Sequence, residues 1–598
     1  MSERNAFMFE VAPHHDARVP AVRPGLGRWR AAFYLLLAVL LAAGVILAPL
    51  MVTVFISLSD GLGAYAVLAH DQVLQALGNS FVWLVLAVLV CAVGLGLAWL
   101  ARNAGPVLGG VLRFLLVLPA VVSPLTTGAI FRMLFDTNGR RGLVNALLGA
   151  DMAFLGPGWI WLVLGLAFVW QWAGIAFLVF HEALARLPGN LLRMARAFGV
   201  GRRHRLWSVV VPALAGPAAL AYLFALVAAA RVFDLVLMGA PGSMQTMVEG
   251  GGLFWWRNND DLGDARAAAL AVALSLLVAV MASVALLGLR GRAGWSEPAP
   301  QPAATRWSGA AAARPSRLAS QPATARSSGP APRRAAVVRR GWRLWVLCLV
   351  VSVLWLLPFA ALVLTSLRDP TDAALTGWWH GGPWTLGSYA EVLGDRAYVN
   401  ALGTTFLRAA VVVGLVLLAA VPTAYVMAHE HLLPRRSWRP VLLVAVALAA
   451  LPPQAFAVPL QEWLSLVGIA PALAIVHAAL VIPLAVLVLH AAFTRVATPM
   501  LTRHRWELFH VVREARPAVV LAGVLAFVLV WNDTVVVLLL NWPSGDHLPL
   551  MLLEHSRHFT SSAGTLAAQA AIATAVPVLL VVATSRWLYR GLTQGVRR

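Results

Sequence analysis

AAALAVALSLLVAVMASVALLGL, residues Ala267–Leu289, runs 23 positions without one ionisable side chain. An α-helix rises 1.5 Å per residue, so about 20 apolar residues cross the hydrocarbon core of a bilayer. This stretch is long enough to cross and has no polar face to turn toward water. Blocks of the same kind recur on both sides of it. In the first half they lie near 32–57, 79–101, 108–134, 158–181, 213–238 and 266–289. In the second half they lie near 344–366, 402–428, 440–463, 473–493, 517–540 and 565–588. The expected fold is therefore an all-α polytopic membrane protein of about 12 transmembrane helices.

Composition agrees. The 598 residues are 60% hydrophobic and 12% charged, against roughly 25% charged in soluble domains. The net charge of +21 comes from Arg alone, with no Lys. Its placement argues against a nucleic-acid partner, because the Arg residues lie in short segments between apolar blocks. With both termini placed in the cytoplasm, cytoplasmic segments and their helix ends hold 36 of 46 Arg, as the positive-inside rule requires. Met1–Arg30 is too long and polar for a signal-peptide n-region, so Phe33–Ser57 reads as a retained first span. Cys91 and Cys348 each sit inside an apolar block, and no Cys/His grouping of metal-ligand type occurs.

The segment 291–341 is dense in Pro, Ala, Ser and Arg and has no apolar period, so it reads as a disordered linker. It divides the chain into a cytoplasmic tail 1–31, a first domain 32–290, a second domain 342–590 and a tail 591–598. The domains share landmarks in the same order. Ala76-Leu77-Gly78-Asn79-Ser80-Phe81 is answered by Ala401-Leu402-Gly403-Thr404-Thr405-Phe406, Ala98-Trp99 by Ala424-Tyr425, and Leu118-Pro119 by Leu451-Pro452. Six spans is an even number, so the two copies enter the membrane from the same side. The expectation is two parallel six-helix repeats with one pathway between them.

The connection after the fourth span differs from an ordinary loop. Asn190 suits an N-cap and Gly199 a left-handed C′ position. Between them Leu191, Met194, Ala195 and Phe198 fall on one helical face. A capped amphipathic helix followed by a turn suits either a groove on another protein or the lipid interface.

This segment resembles the loop that defines permease subunits of binding-protein-dependent ABC importers. The family pattern is Glu-Ala-Ala, three residues, Gly, seven residues to a large apolar residue and six more to Pro. Here Arg193-Met194-Ala195 occupies the Glu-Ala-Ala position, Gly199 the Gly, Leu206 the apolar residue and Pro212 the Pro. The second copy is degenerate. Val496-Ala497-Thr498 stands at Glu-Ala-Ala and Thr502 at Gly, with Trp506 and Phe509 following and Pro517 displaced by two. The fusion of two domains is similar to the thiamine and ferric-iron branches of the family.

The resemblance implies a permease in a bacterial inner membrane that forms the path for a small solute. A cytoplasmic ABC ATPase dimer would ride on the two loops, and a periplasmic solute-binding protein would deliver cargo. The chain itself would be no enzyme and bind no cofactor, with ATP used by the partner; lacking Lys, it cannot hold a phosphate-binding Gly-x-x-x-x-Gly-Lys motif. Unequal coupling by the two loops follows from the loss of Gly at Thr502.

Ionisable groups within apolar blocks are costly and mark pathways or reach water at helix ends. Arg231 and Asp234 stand at i, i+3 on the fifth span, and Asp533 lies at a similar place in the second copy. Arg132 and Arg408 also fall in or near such blocks. Trp255-Trp256 and Trp378-Trp379 read as interfacial anchors. Two other readings compete. An ion-driven secondary transporter would share the repeat but needs no capped loop, and a membrane enzyme would need catalytic spacing that Asp260, Asp261, Asp264, His547 and His555 lack.

Overall fold

The computed structural model describes residues 28–104, 106–185, 198–199, 201, 204, 211–290, 342–429, 444, 447–448, 450, 451–465, 469–494, 496, 507–540, 547–556 and 563–594. Regular structure among them is helical, apart from one isolated bridge between Arg368 and Trp384. In the first half, α1 is Arg28–Leu41, α2 Ala48–Ser57, α3 Asp71–Ala104, α4 Pro106–Val117 and α5 Pro124–Leu134. There follow α6 (Ile160–Ala185), α7 (Val211–Ala230), α8 (Asp234–Gly239), α9 (Gly251–Leu262) and α10 (Asp264–Arg290). In the second half, α11 is Trp342–Ser366, α12 Arg396–His429, α13 Ala457–Ser465, α14 Ile469–Phe493 and α15 Glu507–Glu514. The chain closes with α16 (Arg516–Trp531), α17 (Val535–Leu539), α18 (Leu548–His555) and α19 (Ala563–Gln594).

Among the described residues, eight helices are long and apolar enough to cross a membrane, among them Asp264–Ser283, and up to ten spans form if each of two bent pairs counts as one. Several of the about 12 expected spans are bent or broken. The block 108–134 bends by 103° between Leu108–Val121 and Pro124–Leu134. Proline explains the bend. Pro119 sits in a 3-10 turn, Val122 is extended ahead of Ser123, and Ser123 Oγ accepts from Leu125 N at 3.3 Å with Pro124 opening α5. The block 440–463 is interrupted at Pro452 and Pro453, which start a 3-10 turn before α13; residues 430–443 lie outside the described set.

The fifth block of each half is broken as well. The block 213–238 divides into α7 and α8 around Arg231–Phe233, and 517–540 divides into α16 and α17 around Asn532–Thr534. Neither break contains Pro or Gly. In the second, Asp533 Oδ2 accepts from Val536 N at 3.1 Å, so a side chain caps the new helix.

The first helix of each half ties the halves together. α1 packs on α12 and α14, while α2 returns to α10. Reciprocally, α11 packs on α19 of its own half and on α3, α4 and α5 of the other. Trp170 Nε1 donates to the Trp355 carbonyl at 2.9 Å across this contact. Lipid tails are as apolar as Leu, so such packing depends on fit and hydrogen bonds rather than on expulsion of water. Gly174 gives the closest fit, since a Cβ there would meet the Leu116 carbonyl oxygen at 1.8 Å. Outward-facing Phe33, Phe55, Leu349, Leu407 and Leu418 remain exposed, as a lipid-facing surface requires.

The aromatic pairs depart from the interfacial expectation. Trp255 is buried and donates through Nε1 to the Ala267 carbonyl at 2.9 Å, and Trp256 packs edge-on against Phe233 at 5.5 Å. Trp378 and Trp379 pack on each other at 5.8 Å in a half-buried loop. Indoles bury large areas when their N–H finds an acceptor, which Ala267 supplies here.

Candidate functional site

The two broken helices place their polar residues at one seam. Asp234 opens α8 and is 4% exposed. It lies within electrostatic reach of Asp533 and of the Thr534 hydroxyl, both from the second half, and Arg231 also acts on Asp533. So Arg231, Asp234 and Asp533 come together, but not as an i, i+3 pair on one helix, because the helix stops between Arg231 and Asp234.

Asp533 is held from its own half. His477, on α14, lies with Nε2 3.1 Å from Asp533 Oδ2 and with Nδ1 2.9 Å from the Leu473 carbonyl. The two ring nitrogens of His477 thus span from the Leu473 carbonyl to the Asp533 carboxyl group. A polar partner of this kind offsets part of the desolvation cost of a carboxyl group inside an apolar bundle.

The seam is also bridged by backbone. Asn532 Nδ2 donates to the Val121 carbonyl at 3.0 Å, and Gln171 Nε2 donates to the Val122 carbonyl at 2.9 Å. The bend between α4 and α5 frees these carbonyls, and the two amides satisfy them. The break at Asn532 therefore supplies a partner for the bend at Val121, and the unbroken α6 supplies one for Val122.

Sequence reading found Arg231, Asp234 and Asp533 but not His477, Asn532 or Thr534. A signal for His477 existed, since a histidine in the middle of the apolar run of α14 is itself an intramembrane ionisable group. His547 read as a loop residue without a role. It is fully buried just before α18, close to Arg408 and His477.

Of the connection after the fourth span, Phe198 is 80% exposed, Gly199 has φ +68°, and Pro212 lies in the first turn of α7. Arg193, Met194, Ala195 and Leu206 lie outside the described residues, as do Ala497, Thr502 and Trp506 of the second copy. Phe509 is 63% exposed on α15, and Pro517 is buried in the first turn of α16, which α15 meets at a 75° bend. No grouping of three or more metal-binding side chains occurs among the described residues.

Residues 90–290 match the model of a family described as binding-protein-dependent transport system inner membrane component. The chain is 26% identical over 230 residues to the alpha-glucoside transport system permease protein AglF of Rhizobium meliloti (strain 1021), covering 36% of this chain and 68% of the relative. It is 30% identical over 164 residues to the sn-glycerol-3-phosphate transport system permease protein UgpA of Yersinia enterocolitica, covering 25% of this chain and 52% of the relative. The crystal structure of a bacterial ABC transporter involved in import of the acidic polysaccharide alginate shares 17% identity at a TM-score of 0.38, covering 44% of this chain and 98% of that one. The alignments with AglF and UgpA span from about half to about two thirds of those relatives. These relatives belong to transport systems for an alpha-glucoside and a glycerol phosphate, so the thiamine or ferric-iron branch expected from the fusion gains no support.

Proposed function

We propose that the chain is the membrane-spanning permease subunit of a binding-protein-dependent ABC importer. It would comprise two permease domains, 32–290 and 342–590, joined by the linker 291–341, with both termini in the cytoplasm. The observation that carries the reading is the loop 190–212. It has the family's spacing and falls inside the stretch that matches the family model. The comparisons give nothing to the ion-gradient alternative.

In this reading a separate ATPase dimer binds the two cytoplasmic loops and closes on ATP. Arg193, Met194, Ala195, Phe198 and Gly199 form the first docking segment, with Leu206 and Pro212 fixing its return. Ala497, Thr502, Trp506, Phe509 and Pro517 form a weaker second one. ATPase closure rocks the halves about the seam, and Arg231, Asp234 and Asp533 line the path that opens there. A periplasmic binding protein supplies the solute. The relatives' names support a small polyhydroxylated cargo, and the polar seam supports it too, because hydroxyl groups can replace the hydrogen bonds broken when the halves part.

Co-purification tests the reading. The tagged chain, extracted in mild detergent from its own host, should bring a cytoplasmic ATPase, and a Gly199→Trp chain should lose it. A well-folded chain that brings no ATPase, even with nucleotide and cross-linker, refutes the proposal.

A further inference from the structure

α15 and α16 meet at a 75° bend. With α16 crossing the bilayer, α15 lies close to the membrane plane. Val511 anchors it, being fully buried where α15 packs on α12, while Arg513 in its last turn is exposed.

Arg516 opens α16 at the bend. Its Nε donates to the Arg513 carbonyl at 2.9 Å, and its guanidinium lies 5.5 Å from the centroid of the Trp587 ring on α19. A carbonyl on one edge and a ring against the face fix the guanidinium plane. Nη1 and Nη2 have no acceptor among the described residues. Arg586, beside Trp587, is exposed like Arg513 and Arg516. Among the described residues none of the three forms an ion pair, and Glu507 and Glu514 of α15 pair with none of them.

The surface that continues from these groups is apolar. On α19, Leu579, Val582 and Arg586 fall at i, i+3 and i+7 and so share one face. Leu579 is 65% and Val582 45% exposed. At 1.5 Å per residue, Arg586 lies about 10 Å along the helix from Leu579. Apolar side chains at the level of lipid tails thus give way to basic ones at the level of headgroups, with an indole between, as such rings prefer.

Arginine at a helix end also sets orientation in the membrane. That role needs charge alone, not a guanidinium held by a ring and a carbonyl with its outer fork left open. Two parallel N–H groups of such a fork match two oxygens of a phosphate. The first half has no counterpart, because α7 opens with Val211-Pro212 where α16 opens with Arg516-Pro517.

We propose that Arg513, Arg516 and Arg586, with Trp587, bind the phosphate of an anionic phospholipid whose acyl chains lie along Leu579 and Val582. The proposal is independent of the importer reading. It gives the second half a lipid partner beside its degenerate loop.

The test is native mass spectrometry of the full chain in detergent, titrated with dioleoylphosphatidylglycerol or dioleoylphosphatidylcholine. The first phosphatidylglycerol should bind more tightly than the first phosphatidylcholine. One Arg near an anionic lipid surface contributes about fivefold in affinity. Arg516→Gln should therefore weaken phosphatidylglycerol by about fivefold, and the triple variant Arg513→Gln/Arg516→Gln/Arg586→Gln should bring it to the level of phosphatidylcholine. Arg516→Lys keeps the charge without the fork and should recover only part of the loss. Trp587→Leu leaves every charge in place and should still weaken binding, which net charge alone would not do. Arg513→Gln and Arg586→Gln, single changes at exposed positions, serve where the triple variant is not monodisperse. Arg396→Gln, exposed on the opposite face, should change nothing. Equal affinity for the two lipids, unchanged affinity in the Gln variants, or an equal loss in Arg396→Gln overturns the site. Displacement of the lipid by inorganic phosphate assigns the arginines to a soluble phosphate and overturns it as well.

Discussion

Asn532 reaches from the break in one half to the Val121 carbonyl at the bend in the other, donating through Nδ2 at 3.0 Å. Two interruptions that would each be unfavourable in lipid thus satisfy one another. A buried carbonyl left unpaired costs about 1–3 kcal/mol, against about 1 kcal/mol gained by an ordinary hydrogen bond. Asn532→Leu should therefore destabilise the contact between halves by about 1–3 kcal/mol. Limited proteolysis in the linker, followed by gel filtration, should show the halves separating at lower denaturant than in the wild type. Unaltered co-elution of the two fragments would remove Asn532 from this role.

Asp234→Asn keeps the shape of the side chain and removes its ionisable group from the seam. Uptake should drop about tenfold, the equivalent of about 1.4 kcal/mol, with membrane abundance unchanged. Asp533→Asn should lower uptake as well, and the double variant should fall short of the product of the two effects, because the residues interact. Full uptake by Asp234→Asn means that the residue only completes a helix end.

In the importer reading the two loops should not be equivalent. Gly199 adopts φ +68°, a conformation other residues enter at a cost of about 1–2 kcal/mol, and Thr502 stands in the second copy where Gly is expected. Gly199→Trp should abolish ATP-driven uptake, while Thr502→Trp should leave a measurable fraction. Equal loss in two well-folded proteins would contradict unequal coupling.

Gly174 sets how closely α6 approaches the α4 end. A methyl group there would stand 1.8 Å from the Leu116 oxygen, so Gly174→Ala must push backbone apart. Overpacking of this kind costs about 1–3 kcal/mol, and the thermal midpoint of the detergent-solubilised chain should fall. Gly96→Ala on α3 meets nothing within 4 Å and should leave it unchanged. A fall of equal size in both would point to helix flexibility rather than the contact.

Much of this was legible in the residues. The apolar blocks at 266–289 and 473–493 became α10 and α14 because a bilayer selects on length and composition, which are local properties. Pro119 and Pro452 were read as shared landmarks and mark real interruptions. The breaks at Arg231–Phe233 and Asn532–Thr534 were not legible, since no Pro or Gly announces them and their partners, Val121 and Thr534 among them, come from the other half. His477 was legible in principle, being ionisable within an apolar run, but its partner Asp533 lies 56 residues away.

The sequence by itself determined that the chain crosses a membrane, which segments can do so and where a loop with importer spacing lies. Each of these depends on neighbours within one helix length. The tertiary structure alone decided that α1 and α11 each reach into the opposite half, that Gly174 admits a backbone, and that Asp234 faces Asp533. In lipid every helix presents a similar apolar surface, so hydropathy cannot rank one partner over another. Shape at single glycines and hydrogen bonds between distant polar groups make that choice, and both exist only once the helices are side by side.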